Sequence, residues 1–218
     1  MKSCYIVGAG DFQKERFHPN PGDFVIAADA GFDYLEGLSI EPDFVIGDFD
    51  SLKSPPRDPR VITLPTEKDD TDLLYAVKHA RKEGCDTFYL FGGTGGRLDH
   101  TLANIQVLSY LSVHGSIGFL LGSGYVITAI RNSTLRFDPG YRGILSVFCA
   151  GDRAEGVFLR GLKYPLSNAT LTNEIPLGVS NEFLGIPVEV SVSAGTLTVY
   201  WEDCTKLPLP AINFIHNL

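Results

Sequence analysis

Short apolar runs that end abruptly at acidic residues recur through the first half of this chain. The clearest is Phe44-Val-Ile-Gly-Asp-Phe-Asp-Ser51, in which a strand-like run leads directly into two carboxylates. Four apolar runs are followed by acids in this way, and the acids concerned are Asp29, Asp48, Asp50, Asp72 and Asp99. In an open parallel sheet the carboxyl ends of the strands share one edge, where ligands bind. The repeated pattern therefore predicts one acidic cleft along that edge.

The acids of this cleft would repel one another unless a cation lay among them. Carboxylate oxygens are hard ligands of the kind that Mg²⁺ takes, so the pattern indicates a site for a metal and a phosphate. Asp48 and Asp50 are separated by one residue, and a loop can aim both at one ion. Without the other acids, this pair is explained equally well as a solvated turn. The repetition at other strand ends favours the functional interpretation.

Three acids, Asp69, Asp70 and Asp72, surround the start of a helix expected over residues 72–83. The N-terminus of a helix favours negative charge, and capping by Asp70 or Thr71 accounts for one of these positions. Three carboxylates within four residues exceed what capping requires, so Asp72 is expected to serve a cation. No Ser-His-Asp set or activated cysteine is evident, which favours metal-assisted group transfer over a covalent intermediate.

A glycine-rich segment, Gly92-Gly-Thr-Gly-Gly-Arg-Leu-Asp-His100, connects an expected strand over residues 87–91 to an expected helix that begins at Asp99. Such loops bind phosphates through backbone N–H groups at the positive end of the helix. The Gly-Lys-Ser/Thr ending of a P-loop is absent, so this is not a Walker site. Arg97 can supply the positive charge in a bidentate form. The alternative is a flexible turn in which Asp99 caps the helix.

The character of the chain changes near residues 122–124. Up to that point strands alternate with helices, which predicts a parallel α/β domain over residues 1–123. Residues 124–218 contain strand patterns without a convincing helix and are expected to form an antiparallel β-sandwich or barrel. Two runs, 188–193 and 196–200, alternate apolar and polar residues on either side of Ala194-Gly195, which predicts a hairpin between them.

The charge and cysteine content restrict the partners. A net charge of −8 argues against a nucleic-acid-binding surface. The four cysteines lack the spacing of a zinc site and suggest reduced thiols of a cytoplasmic protein. No stretch approaches the ~20 apolar residues of a membrane span, and the apolar run at the N-terminus is too short for a signal peptide. A cytoplasmic protein without nucleic-acid or membrane partners is expected.

Four motifs, taken in their order along the chain, resemble the thiamine pyrophosphokinase family. They are Ala28-Asp-Ala-Gly31, Gly47-Asp-Phe-Asp-Ser51, the acidic run ending at Thr71-Asp72, and Gly92-Gly-Thr-Gly-Gly-Arg-Leu-Asp-His100. The second half resembles the same family through Gly161-Leu-Lys-Tyr-Pro-Leu166 and Leu177-Gly-Val-Ser-Asn-Glu-Phe183. The resemblance covers nearly the whole chain, and the ordered set is far more specific than any single motif.

The resemblance implies a homodimer in which each chain has a Rossmann-like α/β domain followed by a β-sandwich. It implies an enzyme that uses Mg²⁺ and transfers the pyrophosphoryl group of ATP to thiamine, giving thiamine diphosphate and AMP. Catalysis and metal binding would fall to the acids Asp48, Asp50 and Asp72. The nucleotide would be bound by Asp29, Gly95, Gly96, Arg97 and Asp99. Thiamine would lie at the dimer interface against Ser180, Asn181 and Tyr164.

Two alternatives remain at this level. One is a pyrophosphokinase that acts on another heterocyclic alcohol, such as a pterin. The other is a non-catalytic protein that binds thiamine or a nucleotide. A sensor has no need of Asp48, Asp50 and Asp72 together, so the three acids favour an enzyme.

Overall fold

The computed structural model describes residues 2–47, 60–65 and 69–214 of the 218-residue chain. Within these ranges the chain forms fifteen strands and three α-helices, together with one 3-10 turn at Lys14–Arg16. No helix in the described part is long and apolar enough to cross a membrane.

Strands and helices alternate along the first part of the chain. These elements are β1 (Ser3–Val7), β2 (Phe24–Ala28), α1 (Gly31–Gly37), β3 (Phe44–Gly47), β4 (Val61–Thr63), α2 (Asp72–Lys82), β5 (Thr87–Phe91), α3 (Leu98–Val113) and β6 (Ile117–Gly122). The remaining elements are all strands. They are β7 (Tyr125–Arg131), β8 (Ser133–Phe137), β9 (Ile144–Cys149), β10 (Arg153–Arg160), β11 (Leu166–Thr172), β12 (Gly178–Glu182), β13 (Val188–Ser191), β14 (Thr196–Glu202) and β15 (Ala211–Phe214).

The described strands belong to two sheets. A ten-stranded mixed sheet has the order β12-β9-β14-β7-β6-β5-β1-β2-β3-β4, and a five-stranded antiparallel sheet has the order β11-β10-β13-β8-β15. The expected fold class, a Rossmann-like α/β domain followed by an all-β sandwich, was therefore wrong. The chain is β-rich, and its parallel strands share a sheet with antiparallel strands of the second half. Local periodicity predicts a strand but does not tell which strands share a sheet.

The chain divides into two compact units. The first unit comprises Met1–Val107 with Gly118–Ser123, and the second comprises Leu108–Ile117 with Gly124–Leu218.

In the first unit, strand β1 lies between β2 and β5 and is parallel to both. Ile6, Val7, Leu90 and Phe91 are completely buried. Parallel strands that are covered on both faces carry continuous apolar runs, which explains why these strands were recognisable in the sequence.

Helix α2 begins with a side-chain cap. The Thr71 hydroxyl accepts a hydrogen bond from the Leu74 N–H at 3.2 Å, which satisfies one of the unpaired N–H groups at the helix start. Leu73, Ala76, Val77 and Ala80 form the buried face of the helix. Of the two capping candidates, the structure selects Thr71.

In the second unit, an aromatic cluster forms the centre of the core. The ring of Phe137 packs edge-on against Trp201 and Phe183, with a distance of 5.2 Å between ring centroids in each case. Phe183 directly follows β12, so this packing fixes the end of that strand. Edge-to-face packing of this kind adds stability beyond the burial of apolar area.

The predicted hairpin over residues 188–200 was wrong. Strand β13 pairs with β8 and β10 in the five-stranded sheet, whereas β14 pairs with β7 and β9 in the ten-stranded sheet. The chain therefore changes sheets at the Ala194-Gly195 turn. Both strands alternate apolar and polar residues, so their local pattern is the same as that of a hairpin.

Candidate functional site

A cavity of about 660 Å³ opens in the first unit, where strands β1, β2 and β5 end. Five of the residues expected at the functional site line this cavity: Asp29, Asp72, Gly95, Gly96 and Arg97. The other acid of that set in the described part, Asp99, lies beside Arg97. Asp48 and Asp50 lie outside the described residues.

Asp29 ends β2 in a backbone conformation that is uncommon for a residue with a side chain. Its φ of 52° lies in the left-handed region, which aspartate tolerates better than most residues. The Asp29 N–H donates to the Ile46 carbonyl oxygen at 2.8 Å, which fixes this turn against β3. A Cβ at Gly31 would lie 1.9 Å from the Val7 carbonyl oxygen, so only glycine fits at that position.

The acidic segment before α2 also lines the cavity, through Asp69, Asp70 and Asp72. Asp70 does not cap the helix. Its two carboxylate oxygens accept hydrogen bonds from the Lys78 ammonium group at 2.7 and 2.8 Å. This ion pair offsets part of the negative charge and fastens the segment to the second turn of α2.

The glycine-rich segment after β5 is joined to the residues after β1 by four backbone hydrogen bonds. The N–H groups of Gly8, Gly10 and Asp11 donate to the carbonyl oxygens of Phe91, Gly92 and Thr94 at 2.8, 2.7 and 2.7 Å. The Gly92 N–H donates in return to the Asp11 carbonyl oxygen at 3.2 Å. Gly8, Ala9 and Gly10 line the cavity beside the glycine-rich segment.

Close approach of these two segments explains two of the glycines. A Cβ at Gly8 would lie 2.8 Å from the Gly92 carbonyl oxygen, and a Cβ at Gly10 would lie 2.2 Å from the Thr94 carbonyl oxygen. Since the atoms that block these positions belong to the backbone, they cannot move away as a flexible side chain could. Any larger residue would force the two segments apart.

The hydrogen bonds of this loop leave its N–H groups available. Four successive carbonyl oxygens, those of residues 91–94, accept hydrogen bonds from within the protein. In contrast, the N–H groups of Gly93, Gly95 and Gly96 donate to no acceptor in residues 2–47, 60–65 and 69–214. These three glycines line the cavity, and helix α3 begins two residues after Gly96. Exposed backbone N–H groups next to a helix N-terminus form a binding site for anions.

Arg97 and Asp99 form a bidentate ion pair at the rim. The Nε atom of Arg97 donates to Oδ1 of Asp99 at 3.1 Å, and Nη2 donates to Oδ2 at 2.6 Å. The hydrogen bonds from Arg97 lower the pKa of the Asp99 carboxyl to about 2. Asp99 also accepts a hydrogen bond from the N–H of His100 at 3.0 Å. Asp99 therefore orients the guanidinium group beside the cavity.

The three residues expected to bind thiamine lie close to one another in the second unit. Ser180 is exposed and lies at a bulge in β12 with a φ of 60°, and its N–H donates to the Ser146 hydroxyl at 3.0 Å. Asn181 is buried, and its side-chain oxygen accepts hydrogen bonds from the N–H groups of Tyr164 and Glu182, both at 2.9 Å. Its amide nitrogen donates to the Tyr164 carbonyl oxygen at 2.7 Å.

These contacts assign different roles to the three residues. The Asn181 amide is almost fully used in hydrogen bonds to the backbone of Tyr164 and Glu182. The Tyr164 ring is 56% exposed and is free to contact a ligand. The Ser180 side chain is likewise exposed.

One residue of the cavity was not recognised in the sequence. Asn104 lies on α3, is 7% exposed, and donates from its amide nitrogen to the Gly93 carbonyl oxygen at 2.7 Å. A recognisable signal was present, because Asn104 shares a helix face with the buried Leu108 and Leu111.

The described residues contain no group of three or more histidine, cysteine, aspartate or glutamate side chains placed to hold a metal ion. The predicted metal site includes Asp48 and Asp50, which lie outside this part of the chain. The site therefore stays a prediction.

Comparisons with known proteins agree across sequence and structure. A family model described as the thiamin pyrophosphokinase catalytic domain matches residues 20–117, and one described as the vitamin B1 binding domain matches residues 132–197. Thiamine pyrophosphokinase of Bacillus subtilis (strain 168) is 32% identical over 186 residues, which cover 79% of this chain and 84% of that protein.

Two crystal structures extend the comparison. Thiamine pyrophosphokinase from Bacillus subtilis superposes with a TM-score of 0.82 at 27% identity, covering 92% of this chain and 99% of the other. The enzyme from Geobacillus thermodenitrificans superposes with a TM-score of 0.79 at 27% identity, covering 94% and 100%.

Proposed function

Because the chain belongs to the thiamine pyrophosphokinase family and is an ATP:thiamine diphosphotransferase, we propose that the cavity of the first unit binds the phosphates of ATP. The enzyme transfers the pyrophosphoryl group of ATP to thiamine and forms thiamine diphosphate and AMP. The observation that carries the proposal is the set of available N–H groups at Gly93, Gly95 and Gly96.

The N–H groups of Gly93, Gly95 and Gly96 can stabilise the negative charge that develops on the phosphate oxygens during this reaction. The thiamine hydroxyl loses its proton to a general base as its oxygen attacks the β-phosphorus, the bond from that phosphorus to the bridging α-phosphate oxygen breaks, and AMP leaves with the electron pair. Negative charge on the phosphate oxygens is stabilised by N–H groups that are already fixed before the reaction. Arg97, oriented by Asp99, adds a bidentate donor at the same rim.

The oxygen donors of the cavity fit Mg²⁺. Asp29, Asp69 and Asp72 line it with hard carboxylate oxygens, the donor type that Mg²⁺ requires, but these three are not grouped closely enough to hold the ion by themselves. Asp72 is the proposed ligand in the described part, and Asp48 and Asp50 are the proposed ligands outside it. When bound, the ion would neutralise charge on the phosphates of ATP.

Thiamine is proposed to bind in the second unit. The match of residues 132–197 to a vitamin B1 binding domain supports thiamine, rather than a pterin, as the acceptor. Tyr164 and Ser180 would contact thiamine directly, and Asn181 would hold Tyr164 in place. The boundary between a catalytic domain over 1–123 and a thiamine-binding domain over 124–218 stays a prediction.

A homodimer is also proposed. Ile175, Leu177 and Val179 are exposed on and just before β12, which is an edge strand, and Phe148 is exposed on the neighbouring β9. Exposed apolar side chains on an edge strand are typical of a surface that is covered in an assembly. A cytoplasmic location is supported by the four cysteines, which form no disulfide.

The reaction can be followed by ³¹P NMR of the protein with ATP, Mg²⁺ and thiamine. We expect AMP and thiamine diphosphate in equal amounts, and no turnover by the Asp72→Asn variant. The Asp86→Asn variant is a matched control because Asp86 lies next to β5 but does not line the cavity. Formation of ADP, or normal turnover by Asp72→Asn, would contradict the proposal.

A further inference from the structure

We propose that Asn104 is a positioning residue for ATP binding, because it holds the Gly93 carbonyl oxygen away from the phosphates; this rests on the proposed function of the cavity. The starting observation is that a polar side chain of α3 is buried on the same helix face as apolar ones. Asn104 is 7% exposed, and Leu108 and Leu111 on the same face are 1% and 0% exposed. A buried amide is costly unless it is hydrogen-bonded, and the bond of Asn104 goes to Gly93 at 2.7 Å.

The Gly93 carbonyl oxygen differs from its neighbours in the way it is bound. The carbonyl oxygens of Phe91, Gly92 and Thr94 accept hydrogen bonds from backbone N–H groups of the segment after β1. Among residues 2–47, 60–65 and 69–214, the Gly93 carbonyl oxygen accepts only from the side chain of Asn104. It is therefore the one carbonyl oxygen of residues 91–94 whose orientation depends on a side chain and can be changed by mutation.

Packing around Gly93 leaves little room for another arrangement. A Cβ at Gly93 would lie 2.7 Å from Cδ1 of Leu120 and 3.2 Å from Nδ2 of Asn104. The Asn104 side chain therefore contacts the loop backbone directly and also lines the cavity.

The electrostatic consequence follows from the sign of the carbonyl dipole. A carbonyl oxygen that turns toward the cavity would repel a phosphate, whereas the N–H groups of Gly93 and Gly95 attract it. When the Asn104 amide binds this oxygen, the loop presents donors to the ligand. Loss of the amide would allow the Gly93–Thr94 peptide to rotate, and ATP binding would weaken.

The donor character of the side chain, and not its size, is the property under test. In Asn104→Ala the hydrogen bond is lost, and in Asn104→Asp a carboxylate of the same shape faces the carbonyl oxygen and repels it. The milder variant Asn104→Ser retains a polar group that is too short to reach Gly93, and it serves if the other variants do not fold. Ser112→Ala is the matched control, because the Ser112 hydroxyl is buried on the same helix and donates to the Ser109 carbonyl oxygen at 2.9 Å, within that helix.

The measurements are the dissociation constant for ATP with Mg²⁺ by calorimetry and the KM for each substrate. We expect Asn104→Ala to weaken ATP binding about tenfold, as for loss of one buried hydrogen bond, and Asn104→Asp to weaken it further. The KM for thiamine is expected to stay within about twofold of wild type, as is ATP binding by Ser112→Ala.

The outcomes separate this inference from the proposed function. If wild type binds ATP and Gly95→Ala weakens binding, but Asn104→Ala and Asn104→Asp bind ATP as wild type does, the role of Asn104 is overturned and the cavity stands. If Asn104→Asp is tolerated and only Asn104→Ala is weak, the residue merely fills space, which also overturns the inference. If wild type does not bind ATP, the proposed function fails and the inference fails with it.

Discussion

The replacement of Gly10 by alanine tests the close contact between the segment after β1 and the glycine-rich segment after β5. The added Cβ would lie 2.2 Å from the Thr94 carbonyl oxygen and 2.8 Å from the Gly92 carbonyl oxygen. Ordinary contact begins at 3.4 Å, so the segments must separate by more than 1 Å. The two hydrogen bonds that flank this position, each 2.7 Å long, would then be lost.

The expected effect follows from these two bonds. Each backbone hydrogen bond contributes about 1 kcal/mol net, so Gly10→Ala should lower the free energy of unfolding by about 2 kcal/mol. For a chain of this length that corresponds to a fall in Tm of about 4–8 °C. Because the loop N–H groups would be displaced, kcat/KM for ATP should fall at least about tenfold, whereas KM for thiamine should change little.

The matched control is Gly37→Ala. Gly37 lies in α1, and an added Cβ would meet no atom within 4 Å. This variant should be as stable as wild type or more stable by about 0.5–1 kcal/mol, because alanine favours helix more than glycine does. Thermal unfolding measures the stability of both variants, and steady-state kinetics measures kcat/KM for ATP and KM for thiamine. A Gly10→Ala variant with the stability and ATP kinetics of wild type would refute the close approach of the two loops.

Three further predictions concern other parts of the site. Thr94→Val removes a buried hydroxyl that has no hydrogen-bond partner in the described residues, so Tm should be unchanged or higher. A fall in Tm would show that the hydroxyl has a partner. Asn181→Ala removes the hydrogen bonds to the backbone of Tyr164 and Glu182, so it should lower the free energy of unfolding by about 2 kcal/mol and raise KM for thiamine more than KM for ATP. Equal effects on both KM values would contradict the placement of thiamine. Arg97→Met should raise the pKa of Asp99 from about 2 toward 3.8, which an NMR titration can follow. In wild type the stabilisation by this ion pair is present above the unfolded-state pKa of Asp99 and is lost as the pH falls toward 2. An unchanged Asp99 pKa in the variant would disprove the assignment.

The sequence predicted the central strands well because their environment is simple. Strands β1, β2, β3 and β5 are largely buried and carry continuous apolar runs, and the run over residues 87–91 predicted the observed bounds of β5. Asp29 after β2 and the glycines after β1 and β5 line one cavity, as expected for strand ends along one edge, whereas Asp48 and Asp50 after β3 lie outside the described residues. Short-range pattern was sufficient for these features.

Pairing between distant strands could not be obtained in the same way. The runs that form β13 and β14 are close in sequence and have the same alternation, yet they belong to different sheets. Strands β11 and β12 contain exposed residues, such as Ser180, that interrupt the apolar pattern from which a strand is predicted. The mixed ten-stranded sheet likewise depends on contacts far apart in the chain.

The hydrogen-bond partners of polar residues were also not predictable from the sequence. Asn104 binds Gly93 and Lys78 binds Asp70, and nothing in the local sequence of either residue indicates that partner. Asn181 was expected to bind thiamine directly, and its hydrogen bonds show that it holds Tyr164. Hydrogen-bond partners depend on the fold, so the structure is needed to identify them.

The most direct test of the proposed phosphate site is the ¹⁵N–¹H NMR spectrum of glycine-labelled protein during titration with ATP and Mg²⁺. The amide signals of Gly93, Gly95 and Gly96 should shift downfield because their N–H groups gain phosphate acceptors. Gly115 and Gly151, which lie outside the cavity, should not move. If ATP saturates the protein while the three loop signals stay in place, the phosphates bind elsewhere and the account of the cavity is wrong.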